Sequence, residues 1–264
     1  MFTTDTYPYF EEVNEGILRQ VPAAANGMSG AVGRVGHPCP LVLDVGCGQG
    51  SLAAEIADLG YEVWGIEQDA YAAQRAAARI DCVVHADLTD AEAVRARLDG
   101  RRFQRIVFSD VLEHVYDPLT VLRSYLDYLA PDGRVLISLP NVVNWQTRLA
   151  FLFGRFTYQD SGVLDRTHIR FFTFKTAVDM VRRAGLEVEI VDHTPFLARA
   201  ALPLAKRLLT RGGAPADEDQ AKAIIDSPAY RLYMRYVYPV EHGVGSLRRS
   251  LLAFRIVIVA RRAA

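Results

Sequence analysis

From about residue 40 to 140 the chain alternates short apolar runs with segments of helical spacing, the pattern of a parallel sheet wrapped by helices. Leu41-Val42-Leu43-Asp44-Val45 predicts a first buried strand, running into glycines at 46, 48 and 50. Helical spacing from Leu52 to Leu59 stops at Gly60, a C-cap signal. Tyr61 to Ile66 predicts a second strand, Asp69 to Ile80 an alanine-rich helix, and Asp81 to His85 a third strand. Thr89-Asp90-Ala91-Glu92 has the form of a capping box, with Thr89 as cap and Glu92 reaching back. Phe103 to Phe108 predicts a fourth strand, and Asp117-Pro118 opens a helix. Pro131-Asp132-Gly133 reads as a turn into a fifth strand, Arg134 to Leu139, which Pro140 closes.

The period then breaks. Residues 141–172 are crowded with aromatic and polar side chains and read as an insertion rather than a linker. Regularity returns with a helix from Thr173 to Ala184, a glycine stop at 185 and a strand from Leu186 to Val191. Phe196 to Arg211 predicts an amphipathic helix split by Pro203, with Leu197, Ala201, Leu204 and Leu208 opposite Arg199, Lys206, Arg207 and Arg211. Gly212 to Asp219 reads as a loop and Leu252 to Ala260 as the last strand. The expected organisation is one domain over 1–264. It comprises an N-terminal helical segment (1–37), a ligand-binding core (38–140), the insertion (141–172) and a C-terminal part with a helical lid region (173–264).

Composition narrows the class. Half of the 264 residues are hydrophobic, enough for a sizeable core and against wholesale disorder. A net charge of −1 excludes a globally basic nucleic-acid binder. Three cysteines without CxxC spacing argue against a disulfide framework or a thiolate zinc site, and for a reducing, cytoplasmic setting. The first residues lack the pattern of a signal peptide, and no apolar run approaches the ~20 residues that span a bilayer.

The segment Asp44-Val45-Gly46-Cys47-Gly48-Gln49-Gly50 lies at the carboxyl edge of the expected sheet, where doubly wound folds bind ligands. Ser51 breaks a dinucleotide GxGxxG, and the GK[ST] of a phosphate loop is absent. An acid before the loop suits a cation better than a pyrophosphate. Glu67 closes the second strand, placed to accept both hydrogen bonds of a ribose diol, and Asp87 follows the third, placed to accept from an adenine amino group. Loop and acids together resemble the class I S-adenosylmethionine (SAM) methyltransferases over residues 38–140. The resemblance implies a doubly wound, Rossmann-like seven-stranded α/β sheet, mostly parallel with the last strand antiparallel. It also implies that Asp44, Gly46, Cys47, Gly48 and Gly50 border the methionine end of SAM. Glu67 and Gln68 would then lie at the ribose, Asp87 and Leu88 at adenine, and Ser109 and Asp110 opposite the methyl donor.

Ser109-Asp110-Val111-Leu112-Glu113-His114-Val115 follows the fourth strand, and its Leu-Glu-His-Val run is similar to that of the ubiquinone-pathway O-methyltransferases. That resemblance offers Asp110, Glu113 and His114 as ligands of a magnesium or manganese ion, against the favoured reading that the run shapes the SAM pocket without metal. In the insertion, Pro140 to Trp145, Gly154 to Tyr158 and Leu164 to Thr173 resemble bacterial methyltransferases found beside glycosyltransferases in surface polysaccharide and glycolipid pathways. Methylating an alcohol requires a base for its proton, and a histidine is the usual side chain. His168 is the preferred base, Asp165 its orienting partner, and His114 the competitor; a purely scaffolding role for His168 and Arg170 is the alternative. Asn141, Asn144, Arg148, Tyr158 and Arg170 are the candidate acceptor contacts. Tyr230, Tyr233, Tyr236 and Tyr238 either lid the pocket or pack a helix on the sheet.

The near-zero net charge conceals a cancellation. Residues 1–140 hold 11 basic and 20 acidic side chains, whereas 141–264 hold 19 basic and 11 acidic. The acidic part coincides with the sulfonium-binding half, and the basic part suits a phosphate-bearing or membrane-linked acceptor. The expected function is SAM-dependent O-methylation of a sugar hydroxyl on a surface glycan, glycolipid or nucleotide-sugar. The expected partner is a small-molecule or lipid-linked sugar and no nucleic acid; the basic face of residues 196–211 is either solvated, the favoured reading, or a peripheral contact with the inner face of the membrane. The alternatives are methylation of a quinone precursor or small phenol, and a catalytically silent SAM-binding partner of a glycosyltransferase.

Overall fold

A computed structural model describes residues 13–24, 39–98, 100–195 and 232–263. Most of the expected 1–37 segment, the 196–211 helix, the 212–219 loop and Tyr230 lie outside the described residues. In chain order the elements are α1 (Glu15–Leu18), β1 (Leu41–Val45), α2 (Ser51–Asp58), β2 (Glu62–Glu67), α3 (Ala70–Ala77), β3 (Cys82–His85), α4 (Ala91–Leu98) and β4 (Phe103–Ser109). There follow a 3₁₀ turn at Leu112–His114, α5 (Pro118–Leu126), β5 (Leu129–Pro140), α6 (Trp145–Leu152), α7 (Phe174–Arg183) and β6 (Leu186–Pro195). A π-helical turn (Tyr233–Val237), α8 (Tyr238–Leu247), α9 (Arg249–Leu252) and β7 (Ala253–Arg262) complete it.

Seven strands form one sheet in the order β3-β2-β1-β4-β5-β7-β6. All neighbours are parallel except β7, which runs antiparallel to both β5 and β6. The strand order reverses between β1 and β4, where Val45 pairs with Phe108, so the crevice at the carboxyl ends opens there. Alternation along β1 builds two cores: Leu43 and Val45 face α4, α5 and α7, while Val42 faces α1 and α2. None of the helices among the described residues is long and apolar enough to cross a membrane.

Local chemistry sets most element ends. Asp117 caps α5 by accepting from the Thr120 N–H, and Thr173 forms a reciprocal capping box with Thr176. Two expectations are corrected. Asp90, rather than Thr89, caps α4 through the Ala93 N–H, because the Thr89 hydroxyl is already bonded to Asp87. Pro131-Asp132-Gly133 does not precede β5 as a turn but is absorbed in it as a bulge, the register shifting between Phe103↔Leu129 and Arg105↔Arg134.

Candidate active site

The glycine loop leaves β1 as a tight cradle. Gly46, Gly48 and Gly50 have φ of +73°, +54° and +83°, the left-handed region that favours glycine. At Gly46 a side chain would also collide, since an added Cβ would lie 2.7 Å from a Val111 methyl. Behind the cradle stand two acids. Asp44 is almost fully buried, and its Oδ1 has no hydrogen-bond partner. Burial and the nearby Glu67 push its pKa up to about 7. Glu67 accepts from the Gly48 N–H and the Asp69 N–H, both at 2.9 Å, so the acid expected at the ribose also ties the loop to β2.

The remaining SAM-side residues divide. Cys47 packs against Gly65 of β2, where an added Cβ would lie 2.5 Å from its Sγ, so this residue shapes the cradle from below. Burial and the Asp44 and Glu67 charges push its thiol pKa up. Gln68 is exposed, with its carbonyl held by His85 at 3.0 Å. Asp87 is exposed and turned onto Thr89, while Leu88 is half-buried, with its carbonyl held by Tyr125.

Across the crevice, Ser109 accepts from Asn14 at 3.0 Å. Asp110 has φ of +54°, the only positive φ on a non-glycine among the described residues. Its carboxylate accepts from Ser138 and pairs with Arg255 at 2.5 Å. Neither Asn14 nor Arg255 was among the expected site residues. The signal for Arg255 is a lone charge near the start of the apolar run 252–260.

The 3₁₀ turn then lowers Glu113 into the protein, 1% exposed and with neither carboxylate oxygen hydrogen-bonded. Burial, and after it Asp110, raise its pKa well above the usual carboxylate value. Its backbone carbonyl accepts from the Ile169 and Arg170 N–H groups, both at 3.0 Å, which docks the insertion onto this turn. Docking brings the buried His168 beside Glu113, Nε2 to Oε1 at 3.9 Å, and its ring centroid lies 4.8 Å from that of His114.

Hydrogen bonds fix both imidazoles. The Val163 carbonyl lies 3.1 Å from His168 Nδ1 and can only accept, so Nδ1 donates to it and Nε2 is turned toward Glu113. His114 Nδ1 is held in the same way by the Thr167 carbonyl at 3.3 Å, and burial followed by His168 lowers its pKa. Asp165 does not orient His168 as expected. It accepts from the Thr167 N–H and hydroxyl, and the same hydroxyl lies 3.1 Å from His114 Nδ1, so Asp165 acts on His114 through Thr167. The proposed Asp110, Glu113 and His114 ligand set is redrawn as well. Arg255 and Ser138 occupy the Asp110 carboxylate, whereas Glu113, His114 and His168 place ligand atoms within 4.8 Å of one another. The orphaned Glu113 carboxylate fits a cation, and two imidazoles with one carboxylate suit manganese or zinc better than magnesium.

The acceptor candidates also divide. Asn141 and Asn144 are buried and engaged within the protein rather than offered to a ligand. Asn141 donates to the Ser250 and Ala253 carbonyls, and Asn144 caps α6 and donates to the Asn141 carbonyl. Arg148 donates to the Val143 carbonyl, and Arg170 bonds the Tyr116 carbonyl with its guanidinium 4.9 Å above that ring. Tyr158 is exposed and joins an aromatic strip. Phe156 contacts Phe151, Tyr158 and Phe171 at centroid distances of 5.5, 5.2 and 6.3 Å, and Phe171 lies 6.5 Å from His168.

Residues 9–191 match a family model described as a methyltransferase domain. Among curated proteins, the ubiquinone biosynthesis O-methyltransferase of Cereibacter sphaeroides is 31% identical over 151 residues, 55% of this chain and 60% of that protein. The protein of the same name from Ruegeria pomeroyi is 34% identical over 167 residues, 59% of this chain and 62% of that one. The matched stretch thus spans about 60% of the length of these relatives. A SAM-dependent methyltransferase structure from Archaeoglobus fulgidus has a TM-score of 0.53 at 17% identity, covering 85% of this chain and 86% of that one, which shows a shared fold.

Proposed function

Because the chain belongs to the SAM-dependent methyltransferase-domain family, we propose that it transfers the methyl group of SAM to a phenolic hydroxyl of a quinone-precursor-like acceptor bearing an apolar tail. The observation that carries this reading is the convergence at one crevice of two kinds of group. Asp44 and Glu67 suit a cationic, ribose-bearing donor, and His168, anchored through Nδ1, turns Nε2 toward buried Glu113. The acceptor class draws on the relatives named for ubiquinone biosynthesis. It draws also on the exposed aromatic strip from His168 to α6, where Leu152 and Phe153 are 77% and 70% exposed. The sugar acceptor expected from the insertion has no support in those relatives.

Transfer is an in-line displacement. The acceptor oxygen forms a bond to the methyl carbon as the carbon–sulfur bond breaks, and that electron pair stays on sulfur as a neutral thioether. The hydroxyl proton passes to His168 Nε2, whose opposite nitrogen is already anchored on the Val163 carbonyl. Glu113, His114 and His168 are also the residues that would hold a divalent ion; it would occupy His168 Nε2 and, in place of the histidine base, lower the pKa of a coordinated hydroxyl.

The test is incubation of the purified chain with SAM and three acceptor sets: prenylated dihydroxybenzenes, short phenols without a tail, and nucleotide-sugars. Mass spectrometry then scores one added CH₂. Turnover of the tailed phenol above the other two supports the reading. Methylation of sugars alone overturns the acceptor class, and SAM binding without any product overturns the activity.

A further inference from the structure

The short helix α1 lies outside the stretch that the sequence marks as ligand-binding core, yet its cap reaches the floor of the crevice. Asn14 caps α1, its Oδ1 accepting from the Ile17 N–H at 3.3 Å, and is almost fully buried. The amide nitrogen of the same side chain donates to two hydroxyls, Ser109 Oγ at 3.0 Å and Ser138 Oγ at 2.8 Å. These serines pair with each other across the carboxyl ends of β4 and β5, next to the switch point of the sheet. Gly16 lets α1 sit this close, since a Cβ there would lie 2.6 Å from a Thr194 methyl and 2.8 Å from a Val257 methyl.

The buried Ser138 hydroxyl is saturated. A hydroxyl has one proton and two lone pairs. Here the proton goes to Asp110 Oδ1 at 2.9 Å, and the lone pairs take the Asp110 N–H at 3.0 Å and the Asn14 amide. Arg255 holds the other Asp110 oxygen at 2.5 Å. Asp110 is thus gripped at its N–H and at both carboxylate oxygens while its backbone stands at φ +54°, a conformation that residues with a side chain adopt at a cost. The 3₁₀ turn with Glu113 and His114 starts two residues later, and the insertion docks on the Glu113 carbonyl. A direction set at Asp110 is therefore carried on to Glu113, His114 and His168. We propose that Asn14 is a positioning residue of the methyl-transfer crevice: through Ser138 it locks the Asp110 kink, and with it the turn that carries Glu113 and His114. An amide suits the task because its NH₂ group offers each serine a proton while its oxygen caps α1. A carboxylate at position 14 would instead draw the Ser138 proton away from Asp110. The glycine loop is held separately, by Glu67 on the Gly48 and Asp69 N–H groups, so the donor cradle does not depend on the lock. This role rests on reading the crevice as the site of methyl transfer, whatever the acceptor.

Asn14→Asp keeps the capping oxygen and removes both donors. Ile17→Val trims the buried face of α1 without touching the lock and is the control for lost stability. Hydrogen exchange of the full chain without SAM, read by mass spectrometry, reports the lock without any acceptor. In Asn14→Asp, protection over 110–116 and 168–171 should fall about tenfold or more, the scale of one buried hydrogen-bond partner lost, and protection over 46–50 should stay within about twofold. Ile17→Val should leave all three stretches unchanged. The SAM dissociation constant of Asn14→Asp should hold within about twofold, while kcat with the tailed phenol falls about tenfold or more. Adding Ser138→Ala should cost little further kcat, because Asn14 acts through that hydroxyl. Unchanged protection over 110–116 in Asn14→Asp overturns the proposal, as does an equal loss in Ile17→Val or a loss of kcat fully additive with that of Ser138→Ala. A wild-type chain that does not turn over the tailed phenol counts against the acceptor reading above, and the exchange result then decides the role of Asn14. Circular dichroism verifies folding, and Asn14→Ser, a cap too short to reach both serines, replaces Asn14→Asp if that variant does not fold.

Discussion

Asp44 should make donor binding and chain stability respond to pH in opposite senses. Its carboxyl moves from 3.8 to about 7 because it is buried beside Glu67. At 1.36 kcal/mol per pKa unit, ionising it in the folded chain costs about 4 kcal/mol more than in the unfolded one. The folded chain therefore binds this proton more tightly than the unfolded chain between 3.8 and about 7. In that window the ligand-free protein loses stability as pH rises, and above it Asp44 has no further effect. A sulfonium or ammonium facing Asp44 favours its ionised form, so SAM must displace the proton. Affinity should be flat above about pH 7 and fall about tenfold per pH unit below it.

Titration calorimetry with SAM at several values from about pH 8 to about pH 5.5 measures this directly. Near pH 6 the binding enthalpy should scale with the ionisation enthalpy of the buffer, reporting close to one proton released. Asp44→Asn should bind more weakly at high pH and lose both the slope and the proton release. A wild-type affinity unchanged across the range would refute the reasoning. A slope that survived in Asp44→Asn would transfer the effect to another group, Glu113 being the other buried carboxyl raised by burial.

Three further outcomes follow from particular contacts. Gly46→Ala combines a φ of +73° with a 2.7 Å approach to Val111, and should cost about 2–4 kcal/mol in urea unfolding, partly recovered by adding Val111→Ala. His168→Gln should lower kcat by on the order of a hundredfold or more with SAM affinity unchanged, because the role proposed for Nε2, beside Glu113, is to take the acceptor's proton; full kcat would remove it from the chemistry. Asn144→Ala removes the cap of α6 and should cost about 1–2 kcal/mol, with faster proteolysis inside 141–172 than elsewhere.

The donor half was legible because its determinants are local. Leu41 to Val45 reads as a strand, glycines follow where the chain must turn with positive φ, and an acid ends the next strand. Each signal lies within a few residues of the feature it predicts. The acceptor half was less legible for the converse reason. Asp165 and His168 are three residues apart and invite pairing, yet each finds its partner elsewhere in the folded loop: Thr167 for the carboxylate and the Val163 carbonyl for the ring. Arg255 reaches Asp110 only because an antiparallel β7 lies between β5 and β6, a pairing across more than a hundred residues that no spacing encodes. The stack of His193 on His242 is invisible in the sequence for the same reason, since it exists only once α8 closes on β6.

Glu113 explains why the two halves meet where they do. Its carbonyl takes the N–H groups of Ile169 and Arg170, while its carboxylate faces His168 with no hydrogen bond of its own. The group that docks the insertion and the group that charges the site thus belong to one residue on a three-residue turn. A carboxyl so buried must be protonated or neutralised, so the docked insertion leaves a stored demand for positive charge. Arg255 does not meet that demand in full, because its guanidinium is held by Asp110. The arrangement makes sense if the missing charge arrives with the reaction, as a bound divalent ion or as the proton His168 takes from the acceptor. Under the proposed reading, the Glu113 carboxylate favours a step that leaves a proton on His168, which an acidic phenol gives up more readily than the alcohol of a sugar.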